Sequence, residues 1–284
     1  MDRFGNRPAD PAYAAFQRGL YITALNLALP KAEQGDRAAQ MLTAEIHARG
    51  LGVPRNMEEA TRWYMLAAEQ GDAEAQLQVA MILLGDKPLD LANPNRAEAM
   101  DMLRASAETG NPYAAFNLAQ LVMAEQPGDD GARQARILFE TAATRDIPGA
   151  LYALARFHLT GIGGATIDGA KARDLMTRAA RAGLDTAQLD LATSLADGVF
   201  GKADYTEAFI WMRRAALGGN PLAANRLAKL YMFGLGNDGD PIAAAAWYIR
   251  AKRAGIKDAE MEDYLEGLTD DQRSKALTAA NAPL

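Results

Sequence analysis

The sequence has 284 residues and no cysteine. That excludes disulfides, thiolate zinc sites and cysteine nucleophiles, and it is compatible with either an oxidising or a reducing compartment. Aromatic residues are sparse, with 8 Phe, 9 Tyr and 3 Trp. Long apolar runs are missing too. The longest near the start, Leu20 to Leu29, is interrupted by Asn26. It follows no basic cluster and leads to no small-residue cleavage site, so it reads neither as a signal peptide nor as a membrane span. Positive charge is in deficit, 30 Lys and Arg against 36 Asp and Glu, for a net charge of −6. A phosphate backbone would be repelled by that average field, so no nucleic-acid partner is expected. The expected location is the periplasm if an export signal has been removed ahead of Met1, and the cytoplasm otherwise.

What the sequence does have is alanine, sixty residues of it. Alanine is the best helix former and a poor strand former, which predicts an all-α fold. With 49% apolar and 23% charged residues the chain falls among ordinary globular proteins, away from the disordered class.

The alanines are periodic. Small turn residues recur at Gly35, Gly71, Gly110, Asp146, Gly183, Gly219 and Gly255, spaced by 36, 39, 36, 37, 36 and 36 residues. Counted from each turn residue, the fourth position is always Ala: Ala39, Ala75, Ala114, Ala150, Ala187, Ala223. So is the ninth: Ala44, Ala80, Ala119, Ala155, Ala192, Ala228. The eighth is apolar and branched except at Thr43. These spacings put the three positions on one helix face, where small side chains leave room for a neighbouring backbone. Helix starts are marked by Asp36, Asp72, Asn111 and Asn220, and a second set by Asn56, Asn95, Asp168, Asp204 and Asp240, several followed by Pro at the first helical position. Each unit is therefore two helices. The second helix carries a bulky pair, such as Trp63-Tyr64 or Trp211-Met212, ahead of a small pair, such as Ala67-Ala68 or Ala215-Ala216.

This pattern predicts an α-solenoid of antiparallel helix pairs, about eight including degenerate ends. Residues 1–10 read as a disordered extension and 11–34 as a degenerate capping pair. Residues 35–254 read as six repeats (35–70, 71–109, 110–145, 146–182, 183–218 and 219–254), and 255–284 as closing helices. Ends of arrays diverge because they must face water.

The template of Ala, an aliphatic-small pair, Gly-x-Gly, Ala-x-x-Trp-Tyr, Ala-Ala and Gly resembles the Sel-one-like repeat (SLR) family, a relative of the tetratricopeptide repeat. The clearest copy is Ala39 to Gly71, with Arg49-Gly-Leu-Gly-Val53 and Ala60-Thr-Arg-Trp63-Tyr64. The resemblance implies a right-handed superhelix used as a non-enzymatic adaptor or scaffold for peptides or proteins. It also implies a bacterial protein, exported in many cases and acting on a cell-envelope or signalling partner. A branch of the family is linked to peptidoglycan-like compounds, so cell-wall fragments are the alternative ligand, and an enzyme with a site invisible in the repeats is the second alternative.

A first helix that buries positions four, eight and nine directs positions three, six, ten and thirteen elsewhere. In relatives that face lines the concave groove, by resemblance. The candidate binding residues are Met41, Leu77, Phe116, Tyr152, Leu189 and Asn225 at position six. Position ten adds Glu45, Met81, Gln120, Arg156, Thr193 and Lys229, with Tyr113 at position three and Met123 at thirteen. The middle is apolar and aromatic, with an acid toward the start and bases toward the end. Packing between units and simple filling by Met are the bland alternatives for the same residues.

Apparent catalytic signals read as structural. His47 and His158 both stand twelve after their turn residue, where other repeats have Leu83, Val122, Leu195 or Tyr231, and so read as packing substitutes. Gly234-Leu-Gly-Asn-Asp-Gly239 matches a dinucleotide fingerprint only formally, since it follows a helix instead of a strand. The acidic turns at Asp129-Asp130 and Asp238-Gly-Asp240 lack the spacing of a calcium loop. No catalytic residue, cofactor or metal is expected.

Overall fold

The computed structural model describes residues 10–283. Among them are sixteen α-helices, one 3-10 turn at Ile162–Gly164 and no strand. The chain divides into two compact units, Met1–Arg145 and Asp146–Leu284, and the division falls at the turn residue Asp146. Each unit is a stack of antiparallel helix hairpins, the solenoid architecture.

In the first unit the hairpins are α1 (Pro11–Gln17) with α2 (Tyr21–Glu33), α3 (Arg37–Arg49) with α4 (Met57–Glu69), α5 (Ala73–Leu84) with α6 (Arg96–Glu108), and α7 (Pro112–Glu125) with α8 (Asp129–Ala143). The second holds α9 (Pro148–Thr160) with α10 (Gly169–Arg181), α11 (Asp185–Ala196) with α12 (Tyr205–Leu217), and α13 (Pro221–Phe233) with α14 (Pro241–Arg253). It closes with α15 (Ala259–Glu266) and α16 (Asp270–Asn281). The expected extension 1–10 lies outside the described residues except for Asp10, which caps α1 and meets Lys31 Nζ at 2.8 Å.

The alanine seams are buried. Ala39, at 7%, is the most exposed of the alanines at positions four and nine. Facing them, the second residue of each bulky pair is inaccessible: Tyr64, Leu103, Phe139, Met176, Met212 and Tyr248 are all at 3% or less. Large side chains thus wedge into surfaces cleared by small ones, which is how close packing is reached without cavities. Thr43 takes the eighth position of its repeat inside this core; its hydroxyl is buried and, among the described residues, has no hydrogen-bond partner.

Caps fix where helices begin. The carboxylate or amide of Asp36, Asp72, Asn111, Asn220, Asn56, Asp168, Asp204 and Asp240 accepts from backbone N–H groups of the first turn. Asn95 does not. The extra residues that lengthen this repeat to 39 lie in the loop between α5 and α6, and Asn93 organises it. Its amide donates to Leu83 and Leu84 carbonyls, and its side-chain oxygen accepts from Asn95 N. Asn95 is left at φ −91°, ψ 5°, outside cap geometry.

One recurring device goes unread in the sequence. Gln40, Gln76 and Gln188, all at position five, are buried, and each donates to the carbonyl eight residues earlier at 3.0–3.3 Å: Ala32, Ala68 and Ala180. The bond reaches back across the turn and satisfies a carbonyl at the end of the preceding helix.

Candidate functional site

An open groove of about 1120 Å3 lies in the first unit. Its floor is α3, through Arg37, Ala38, Met41, Leu42, Glu45 and Arg49. One wall is the leading hairpin, with Tyr13, Phe16, Gln17 and Tyr21; the opposite side is formed by Asp72–Glu74, Thr109–Tyr113 and Arg145. The volume exceeds that of a typical small-molecule pocket, roughly 300–1,000 Å3, and suits an extended segment.

The aromatic wall holds itself in place. Phe16 meets Tyr21 edge-on at 5.5 Å between ring centroids and stacks with Tyr13 at 6.5 Å. Such contacts fix ring orientation beyond what area burial supplies. Tyr113 projects from the first turn of α7, 58% exposed.

The acids are engaged within the chain. Glu45 accepts from Arg49 at 3.0 Å through one oxygen and from the Tyr64 hydroxyl at 3.2 Å through the other. Asp72 caps α5 with Oδ1 and lies 3.6 Å from Arg37 Nε through Oδ2. Glu74 accepts from Gln78 at 3.0 Å.

Of the residues expected to bind a partner, the structure brings Met41, Glu45 and Tyr113 to this groove. Leu77 is core at 6% exposure, and Met81 packs against the same cluster. Phe116 is half-buried with its ring 6.0 Å from that of Phe139, and Gln120 is half-buried, whereas Met123 is exposed. Met41 reaches the groove although only 9% exposed, and elsewhere position six is buried or half-buried for a geometric reason. At roughly 100° per residue it lies only about 60° around the helix from the buried ninth position, while positions three and ten lie farther round.

In the second unit the expected residues are mostly committed to each other. The Tyr152 hydroxyl donates to Asp190 at 2.5 Å, and the Arg156 guanidinium lies 6.0 Å over the Tyr152 ring. Burial, then this bond to a carboxylate, pushes the Tyr152 hydroxyl pKa up. Thr193 accepts from Arg226, and Leu189 is half-buried. Asn225 is buried and donates to Asp258 at 2.8 Å; Lys229 meets Asp258 at 2.8 Å and Glu260 at 2.7 Å. Of the two bases expected toward this end, Lys229 is thus matched by acids of the chain's own closing segment, and Arg156 is held against Tyr152.

Neither histidine lines the groove. His158 is buried at 8%, with Nδ1 2.8 Å from the Thr166 carbonyl, where it ties α9 to the turn that follows. His47 Nδ1 is buried without a hydrogen-bond partner among the described residues. Among those residues no group of three or more acids or histidines has the geometry of a metal site, and no helix is long and apolar enough to cross a membrane.

Comparison with known proteins agrees with this architecture. A model described as the Sel1 repeat matches residues 37–72, 112–146, 148–184, 186–220 and 221–256. The repeat with the long α5–α6 loop lies outside those matches. The chain is similar to a protective antigen of uropathogenic Escherichia coli displaying an SLR fold, with a TM-score of 0.76 and 26% identity over 95% of this chain and 60% of that one. It is also similar to a Sel1 repeat protein from Oxalobacter formigenes, with a TM-score of 0.69 and 27% identity over 88% of this chain and 100% of that one. A protein of Neisseria meningitidis serogroup B is 28% identical over 80% of this chain and 44% of its own length. The chain spans less than half the length of that curated relative. The Sel1 repeat is typically a non-catalytic scaffold of the kind used for protein–protein interaction. With repeat matches over more than half of its residues and SLR structures as neighbours, the chain belongs to the Sel1 repeat family.

Proposed function

We propose that the protein is an adaptor that holds a segment of a partner protein in the groove of its first unit. The observation that carries this reading is the groove itself: about 1120 Å3, aromatic on one side and charged on its floor, built where three successive hairpins present the starts of their first helices. Aromatic anchors beside polar groups that fix backbone direction are what peptide recognition requires. The partner would be one whose activity or location the adaptor controls, in the envelope or in signalling.

The test uses the full chain as bait in native extract beside the Phe16→Ala, Tyr113→Ala double variant. A specific protein retained by the first and lost by the second, with helicity unchanged by circular dichroism, supports the reading. Equal retention by both overturns it. Sedimentation with purified peptidoglycan that is lost in the same variant would replace it with a wall-binding function.

A further inference from the structure

Resting on the adaptor reading, we infer that the segment taken by the groove is an extended, acidic one: two carboxylate side chains about five or six residues apart, with aromatic or aliphatic residues between them. The argument starts from which polar groups in the groove are already used. Glu45 has a partner on each oxygen, Asp72 is divided between the α5 cap and Arg37, and Glu74 accepts from Gln78. Glu45 and Asp72 are also only 24% and 23% exposed, so a basic ligand would have to reach them past the groups they already hold.

The two arginines of α3 are different. Arg37 approaches Asp72 through Nε at 3.6 Å, and Arg49 meets Glu45 through Nη1 at 3.0 Å; their side chains are 46% and 60% exposed. A guanidinium carries five N–H donors in a planar fork, so each keeps capacity for a second carboxylate, held bidentately. The floor of the groove can still donate while its acceptors are engaged. That is the complement of an acidic segment.

The spacing follows from helix geometry. Arg37 and Arg49 are twelve residues apart on one helix, roughly 18 Å at 1.5 Å per residue. An extended peptide advances about 3.3 Å per residue, so carboxylates reaching both forks are separated by about five or six positions. The stretch between them runs past the ring cluster of Phe16 and Tyr21, which is where apolar side chains find contact.

The probe is a random twelve-residue peptide library displayed on phage and selected on the intact protein. The expected result is enrichment of Asp or Glu pairs at that spacing around an apolar centre. Synthetic peptides of the selected sequences should bind at least tenfold more weakly to the Arg37→Glu, Arg49→Glu variant, and keep their acidic preference with Arg37→Lys, Arg49→Lys. Basic or uncharged selected peptides whose binding is lost on Tyr113→Ala or Phe16→Ala would overturn the acidic inference and leave the adaptor reading standing. Selection of no sequence sensitive to those aromatic variants would overturn both.

Discussion

Lys229 Nζ lies 2.8 Å from the carboxylate of Asp258, the residue that caps α15, so a cation on α13 pins the start of the closing hairpin. Asn225 donates to the same carboxylate, and Glu262, one turn into α15, takes hydrogen bonds from Lys252 and from the Tyr248 hydroxyl at 2.6 Å. This short helix buries only Met261, so polar contacts hold most of it.

Those contacts set a pH dependence. Burial raises the Asp258 pKa, but the hydrogen bonds from Asn225 and Lys229 outweigh it and the net shift is downward. The Glu262 pKa is lowered, mainly by Lys252. Burial and the bond to Glu262 push Tyr248 up to about 12, so its hydroxyl stays a donor at neutral pH. A carboxylate with a lowered folded-state pKa contributes stability above its unfolded value that is lost as pH falls through the folded one. The loss should therefore begin as pH falls through the ordinary values of 4.5 for Glu262 and 3.8 for Asp258 and continue below them. Hydrogen exchange followed across this range should show amides of α15 opening before those of α3 and α4; simultaneous opening would contradict it.

Thr43 offers a gain. Among the described residues its hydroxyl is buried without a partner, at a position that the other repeats fill with Val or Leu. Thr43→Val keeps the shape and removes the unpaired group, and should add about 1 kcal/mol to stability in a denaturant melt. A loss of stability would show that the hydroxyl is satisfied.

Two glycines separate conformational cost from steric cost. Gly110 has φ +88° and nothing within 4 Å of where a Cβ would stand, so Gly110→Ala should cost only the backbone strain, about 1–2 kcal/mol. At Gly236, φ +74°, a Cβ would overlap the Tyr205 carbonyl oxygen of the preceding repeat. Gly236→Ala should cost about 3 kcal/mol or more, and chemical melts of both variants would rank them.

The repeating hairpins were legible because their packing depends on residue size at fixed intervals, and alanine at positions four and nine declares that interval directly. The groove was legible only on α3 and at Tyr113, where the template applies. Its aromatic wall comes from Tyr13, Phe16 and Tyr21, in a leading pair too degenerate for the template to register. Asn225 and Lys229 looked available for the mirror-image reason: their partners, Asp258 and Glu260, stand in the closing segment, and no periodicity links one to the other. Asn95 failed as a cap because a loop with its own turn chemistry at Asn93 precedes it. The position-five glutamines did carry a signal, since they recur in three of the six repeats, but their meaning lies in a carbonyl across the turn.

Those glutamines bear on how the molecule is made. Each bond joins residues only eight positions apart, so a newly emerged hairpin can latch onto its predecessor before anything downstream exists. Chains whose ties are this local fold quickly and from many starting points. Assembly on the ribosome can then proceed hairpin by hairpin, with little apolar surface left waiting for a distant partner.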